Sequence, residues 1–437
     1  MKRIALLLAF WMLTGPVWSR AQNPPVATTG VVQPAAAISS IAPGTAITMD
    51  NWRQYRDFMP DGVIALFEGT YFWKMPPEIR IEVAPTDLHP LPQNYLTATE
   101  KYSAQVRIAD QPDGSLRLLN YLGGIPFPNP QEPHKGWKVL ENLWYRYGPS
   151  TLVDRHAPGC AINSLGALSC QVFDGVTRQL AYNTDAGVPT AAPAGDAKFS
   201  TEWFMTIEPE NQKYTTFLLI SYADQSRPDD TYVFLPSLRR YQPISSSGRC
   251  AANSGMDFTD EDFHSGFDSD VTELQADFVT HKKILALLDE VPPDQPFPEG
   301  FYMPLAWPMP SWAKWQLRDV DVIDVRKIPA KAAGYCYGKR IIYVDSHFHG
   351  PLWQEIYDSK MKLWKFYEVA AQKVDVPGIG PQNAAGGDME TIWNVQDNHA
   401  TWAAENAKTL QANENAPKEF QDRERYTTAA GLNLIMR

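Results

Sequence analysis

Beyond its first 21 residues, this 437-residue chain has no apolar run close to the ~20 residues a helix needs to cross a bilayer. It also lacks a basic surplus: 39 Lys plus Arg stand against 50 Asp plus Glu, a net charge of −11. That argues against a nucleic-acid partner, because no basic face is left to neutralise phosphates. No Gly-x-Ser-x-Gly elbow, P-loop, dinucleotide fingerprint or His-Glu-x-x-His pair occurs, so no catalytic class and no cofactor is signalled. No repeat at a solenoid or propeller period stands out. The four cysteines lack the two-residue spacing of a zinc knuckle.

What is present begins with Lys2 and Arg3, the apolar run Ile4 to Leu13, the breakers Gly15 and Pro16, and small residues at Ser19 and Ala21. This is the layout of a secretory signal peptide over residues 1–21, with cleavage expected after Ala21. Loss of Lys2, Arg3 and Arg20 leaves 36 basic against 50 acidic residues, a net of −14 on the mature protein. The expectation is an exported, soluble, periplasmic product. In an oxidising compartment four cysteines suggest two disulfides. Cys160 and Cys170 flank a short loop around Gly166, which leaves Cys250 for Cys336.

Proline is common, 36 of 437, and it interrupts helical patterns throughout, which disfavours bundles and coiled coils. Aromatic residues make up 12%, with 14 Trp and 19 Tyr, and point to strands or a deep apolar surface. Residues 22–47 carry no charge and read as a flexible arm. A helical part spans 48–100, with Thr48 or Asp50 capping a helix through Trp52, Tyr55 and Phe58, and a second turn running through Ile64, Leu66 and Phe67. Gln105–Asp110 and Ser115–Tyr121 flank a hairpin turn, and a helix is predicted over Lys138–Tyr147. Short alternating segments then mark strands at Leu180–Asn183, Glu202–Ile207, Tyr214–Tyr222, Thr231–Leu235, Val271–Phe278 and Lys282–Leu288. The later set is Trp315–Ile328, Lys339–Asp345, Leu352–Asp358, Lys362–Val369 and Thr391–Gln396. Many strands with few helices between them predict an α+β, mainly β fold: one large, curved antiparallel sheet over 101–399, wrapped over helices. The Ala- and Glu-rich stretch 400–413 predicts a helix, and 414–437 a tail or lid.

Candidate chemistry is sparse. His347 and His349 would share a strand face and could hold a metal with Glu355 or Asp358; the plainer reading is a polar turn before Gly350-Pro351. The acidic run Asp257, Asp260, Glu261, Asp262, Asp268 and Asp270 lacks EF-hand spacing and reads first as a solvated connection. Arg239-Arg240, at the end of an apolar strand, could grip a phosphate or carboxylate headgroup, or pair with that acidic run. Trp203, Phe217, Leu219, Tyr232, Phe234, Ile341, Tyr343, Trp353, Trp364 and Phe366 recur at strand spacing. Most suit an ordinary core, yet together they could line an apolar hollow.

Several segments together resemble a known family. Gly123-Gly124-Ile125-Pro126-Phe127-Pro128 followed by Asn142-Leu143-Trp144-Tyr145-Arg146-Tyr147 is similar to a paired motif of LolA-like exported bacterial proteins, described as outer-membrane lipoprotein-sorting proteins or as a domain of unknown function. Tyr232 to Arg240, the acidic segment Asp257 to Phe267, Lys339 to Asp345, Tyr357-Asp358 and Leu363-Trp364-Lys365 continue the match in order, from about Asp50 to Asn413. The four Cys and the His347-Phe348-His349 turn depart from the family pattern. The resemblance implies a LolA/LolB-like incomplete barrel, one domain over 48–413, with an apolar hollow. It also implies association with exporters of the resistance-nodulation-division type. The expected function is a periplasmic binder or carrier of a lipid, acyl chain or lipoprotein, with Arg239 and Arg240 at the head and the aromatic residues around the tail. Its partners would be hydrophobic cargo, an inner-membrane exporter and an outer-membrane protein. The alternatives are an adaptor whose hollow is filled by its own side chains, and a metal-dependent hydrolase.

Overall fold

The computed structural model describes residues 39–185, 197–245, 248–289, 297–311, 314–383, 388–404 and 409–436. The expected signal peptide and most of the arm lie outside the described residues. The last part of the arm does not read as predicted: Ile41 and Ile47 are buried, and β1 (Ala46–Thr48) pairs with β2 (Arg80–Glu82). Between these strands lie a 3-10 helix (Trp52–Phe58) and α1 (Asp61–Glu68), close to the predicted pair of helices. Neither Thr48 nor Asp50 caps them. The Asn51 side chain instead accepts from the Thr48 N–H and closes the turn.

Next come α2 (Gln93–Tyr102), the predicted hairpin of β3 (Arg107–Asp110) and β4 (Leu116–Leu119), and α3 (Lys135–Trp144). The main sheet begins with β5 (Thr151–Asn163), β6 (Leu168–Gln179), β7 (Lys198–Glu208), β8 (Thr216–Tyr222), β9 (Asp230–Leu235) and β10 (Arg240–Ile244). After the acidic segment, which holds α4 (Phe263–Gly266), follow β11 (Leu274–Leu288), β12 (Lys314–Lys327), β13 (Lys339–Asp345), β14 (Pro351–Tyr357) and β15 (Leu363–Ala371). A small hairpin, β16 (Val374–Val376) and β17 (Gly380–Gln382), precedes β18 (Asp388–Asn394), β19 (His399–Ala404), β20 (Gln411–Ala412) and a short α5 (Arg423–Thr427).

Fourteen strands form one sheet in the order β10-β9-β8-β7-β6-β5-β19-β18-β15-β11-β12-β13-β14, with β20 beside β5. Neighbours are antiparallel except for one parallel bridge, Leu288 to Ala371, between β11 and β15. Because β14 also pairs with β15, the strands β11 to β15 close into a ring while the rest of the sheet runs on as an open arm. The fold is mainly β with few helices, as predicted.

Alternation on β13 shows how the sheet is covered on both sides. Ile342 and Val344 pack on Trp137, Leu140, Leu143 and Trp144 of α3, whereas Ile341 and Tyr343 face the cluster that holds the amino-terminal helices. Strands buried on two faces give near-continuous apolar runs.

Two carboxyl-terminal expectations are corrected. Within the predicted helix 400–413, residues 400–404 and 411–412 are strand: β19 pairs with β18 on one side and β5 on the other, and β20 also pairs with β5. Residues 405–408 lie outside the described residues. Ala-rich helix propensity amounts to tenths of a kcal/mol per residue, and pairing on both edges while burying Ala400 and Trp402 outweighs it. Residues 414–436 are not a free tail either. Phe420, Tyr426 and Leu432 are buried against Val153, Val176, Trp203, Leu218 and Phe234 of the sheet arm. Leu180–Asn183 is likewise not a strand, since Tyr182 adopts φ +56°, in the left-handed region.

Candidate functional site

The deepest apolar region collects the amino-terminal helices, strands of the ring and the segment 297–309. Five aromatic rings are arranged there in a cycle. Trp353 stacks on Phe366 at 5.0 Å, Phe366 on Trp393 at 5.5 Å, Trp393 on Trp307 at 5.5 Å, Trp307 on Trp315 at 5.8 Å, and Trp315 on Trp353 at 6.4 Å. Each such pair adds about 0.5–1.5 kcal/mol beyond area burial. The Trp353 indole N–H donates to the Leu285 carbonyl at 2.9 Å and fixes that ring in the floor.

Two covers close over the rings. The first is α1: Gly62 passes so near Phe366 that its backbone N–H reaches the buried Glu355 carboxylate at 3.1 Å. A carboxylate facing first-turn N–H groups is favourable, since those donors have no partner within the helix. Tyr343 donates to the same oxygen at 3.1 Å. Burial raises the Glu355 carboxyl, and these donors oppose the shift. The second cover is the segment 297–309, inserted between the hairpin strands β11 and β12. Its Tyr302 stacks on Trp402 at 4.3 Å, Phe297 meets Phe301 edge-on, and Trp307 completes the ring cycle. Strand patterning missed this segment. Its signal was the run Phe297 to Pro310, mostly apolar and broken by four prolines in all, which fits neither a strand nor a helix.

The ten aromatic and aliphatic residues singled out from sequence do not meet in one surface. Ile341, Tyr343, Trp353 and Phe366 belong to the covered interior. Trp203, Tyr232 and Phe234 lie on the sheet arm beneath the carboxyl-terminal segment. Phe217 and Leu219 sit on the opposite face of that arm, because the register pairs Trp203 with Leu218 and places Phe217 beside Phe204. Trp364 packs near Tyr337, on the far side of β15 from Phe366. Arg239 ends the turn after β9 and Arg240 opens β10, both exposed, with Arg239 at φ +50°. Their strand neighbours Tyr232 and Phe234 face the carboxyl-terminal segment, not the ring cycle.

His347 and His349 do not form a shared metal site among the described residues. The His347 ring lies 2.7 Å from the His89 carbonyl oxygen, and burial lowers the His349 imidazole to about 4. Glu355 serves α1, and Asp358 closes the turn to Lys360 and Lys362.

Five of the six acidic residues, Asp257, Asp260, Glu261, Asp262 and Asp268, are buried, and Asp270 is half-buried, so the run is not a solvated connection. Arg249 pairs with Glu261 at 2.8 Å, Arg340 with Asp262 at 3.0 Å, and Tyr335 and Tyr337 donate to those two carboxylates at 2.8 Å. The cations are thus Arg249 and Arg340, not Arg239 and Arg240. Burial opposes ionisation of Glu261, yet Arg249, Lys327 and Arg340 hold it below the usual carboxylate range. The disulfide Cys250–Cys336 ties this segment to the chain before β13, and Cys160–Cys170 bridges a register pair of β5 and β6, both as predicted.

Beside this network lies a cavity of about 360 Å³ lined in part by Trp364, Lys365, Asn394, Asp397 and His399. His399 Nδ1 is 2.6 Å from Asp257 Oδ2, and this hydrogen bond raises the imidazole pKa. Thr401 and Asn394 donate to the same carboxylate.

A "putative outer membrane lipoprotein-sorting protein domain" from Vibrio parahaemolyticus is similar at 16% identity and TM-score 0.45, over 69% of this chain and 99% of that one. A DUF1329 family protein from Desulfovibrio piger aligns at 15% identity and TM-score 0.45, over 68% and 100%. A LolA superfamily protein from Nitrosomonas europaea aligns at 11% and TM-score 0.33, over 64% and 93%. No functionally curated protein matches the sequence. The family described as "Protein of unknown function (DUF1329)" matches residues 46–431, nearly the whole described chain, and this protein belongs to that family.

Proposed function

We propose that this protein is a non-enzymatic carrier of an acyl chain, as free lipid or as the anchor of a lipoprotein, acting in the periplasm after export. The observation that carries the reading is the apolar ring cycle closed by two covers, α1 and the segment 297–309, neither of which is a strand of the main sheet. Carrying an acyl chain through water exposes apolar area worth about 0.8 kcal/mol per CH₂. A site for it must be apolar, yet filled when no cargo is present. Side chains such as Met303, Leu305 and Met309 supply exchangeable filling, and Met adapts readily to an incoming chain.

Ile341 and Tyr343 would line the opened site. The exposed Arg239 and Arg240 lie on another part of the sheet and suit an anionic surface of a partner, such as an exporter or an outer-membrane protein, better than the head of this cargo. No helix of the described residues is long and apolar enough to cross a membrane.

Titration of the purified protein with a fluorescent fatty acid tests the reading. Saturable binding at one site, displaced by unlabelled fatty acid, is expected. Absence of saturable binding would favour the second reading, an adaptor whose interior is permanently filled, a reading that the close stacking of the five rings supports.

A further inference from the structure

We propose that Asp87, His89 and Asp289 form a binding site for one divalent transition-metal ion, with Zn²⁺ the fitting probe. The proposal does not depend on the carrier reading. One imidazole nitrogen and two carboxylate oxygens from these residues lie within 4.8 Å of one another, and no other such group of three occurs among the described residues. His89 Nε2 and Asp289 Oδ1 are 3.1 Å apart. Two ligand atoms each about 2.1 Å from a shared ion sit roughly 3.0–3.4 Å apart for bond angles between octahedral and tetrahedral, so this edge needs almost no adjustment.

The surroundings are those of a prepared site. The fully buried Gln316 bridges both ligand segments: its amide oxygen accepts from the Asp87 N–H at 2.8 Å, and its amide nitrogen donates to Asp289 Oδ2 at 2.8 Å. The Asp87 carbonyl accepts from Arg318, and the His89 carbonyl meets His347 Nε2 at 2.7 Å. Outer contacts of this kind hold ligands in place before the ion arrives. Asp289 is buried and Asp87 exposed, which gives an inner anchor and an open side for entry and for water ligands.

Charge also favours an ion. Two carboxylates face one imidazole, and the nearest guanidinium, Arg318, is committed to Asp345 at 2.8 Å. A divalent cation matches a donor set of two carboxylates and one imidazole. Mixed nitrogen and carboxylate ligands select a first-row transition ion over Ca²⁺ or Mg²⁺, which prefer oxygen alone. The ion would join the segment before α2 to the residue that follows β11, where the chain leaves the sheet toward the cover 297–309.

The test is equilibrium dialysis of tag-free, chelator-stripped protein against Zn²⁺, read by elemental analysis and calorimetry. One ion per chain is expected, with Ca²⁺ unable to displace it. Asp87→Asn and His89→Gln should each weaken binding at least tenfold. His399→Gln, at the unrelated His–Asp pair, should leave it unchanged. The Asp87 side chain is exposed, so D87N should unfold at the wild-type temperature and keep the result interpretable. Failure to bind a stoichiometric ion, or binding that D87N and H89Q leave intact, overturns the proposal and leaves an ordinary His–Asp hydrogen bond.

Discussion

Gly62 is where α1 and the ring cycle come closest. A Cβ at this position would lie 2.2 Å from the Phe366 ring, which is held between Trp353 and Trp393 and has little room to yield. Gly62→Ala should therefore lift α1, costing about 1–3 kcal/mol as overpacking does. Denaturant unfolding checks the cost, and under the carrier reading the same variant should bind a fatty-acid probe more tightly, because the cover is already loosened. Glu368 offers a second test at this scale. Burial pushes its carboxyl up to about 8, against a lowering contact from Thr391. The folded protein thus holds a proton there that the unfolded chain releases near the ordinary Glu value, so stability falls as pH rises from about 4.5 to 8. Glu368→Gln should flatten that fall, raising the thermal midpoint at pH 8 and changing it little at pH 4. A midpoint that shifts equally at both pH values would show that Glu368 carries no such proton.

At the scale of elements, the two disulfides should differ in weight. They close loops of 10 and 86 residues by sequence separation. The chain-entropy account then gives about 3 kcal/mol for Cys160–Cys170 and about 4.6 kcal/mol for Cys250–Cys336. Paired Ser substitutions followed by urea unfolding should reproduce that order. The carboxyl-terminal segment gives a sharper contrast. As a tail it would tolerate any change, but Leu432 is fully buried against the sheet arm, and Leu432→Ala should cost about 2–5 kcal/mol. What could be read from sequence follows from the range of the forces involved. Strands β8, β9 and β12 to β15 were legible because alternation is a local property of each. β5 and β6 were not, because their polar and small residues, Asp154 to Pro158 among them, are set by their neighbours in the sheet. Helix propensity misplaced Ala400 to Ala404 for the same reason: edge pairing is invisible in a single segment. The candidate site was legible only in part. Ile341, Tyr343, Trp353 and Phe366 could be picked out by period, but Gly62, Trp307 and the trio Asp87, His89 and Asp289 are joined by tertiary contacts alone.

At the scale of the whole molecule, the sheet closes where it must hold an apolar interior and stays open where the carboxyl-terminal segment covers it. A body of net charge −11 would be repelled by an anionic membrane surface. That suits a carrier that releases its load to a partner rather than resting on lipid. The covers give this account its central claim: the interior now filled by α1 and by Trp307 with its neighbours is the place of an acyl chain. The most direct measurement is native mass spectrometry, with solvent extraction, of the protein purified from its own host. The account predicts a fraction of molecules carrying one acyl-chain compound, released when the protein unfolds. Protein recovered wholly free of lipid, and unable to take up an acyl probe afterwards, would contradict it.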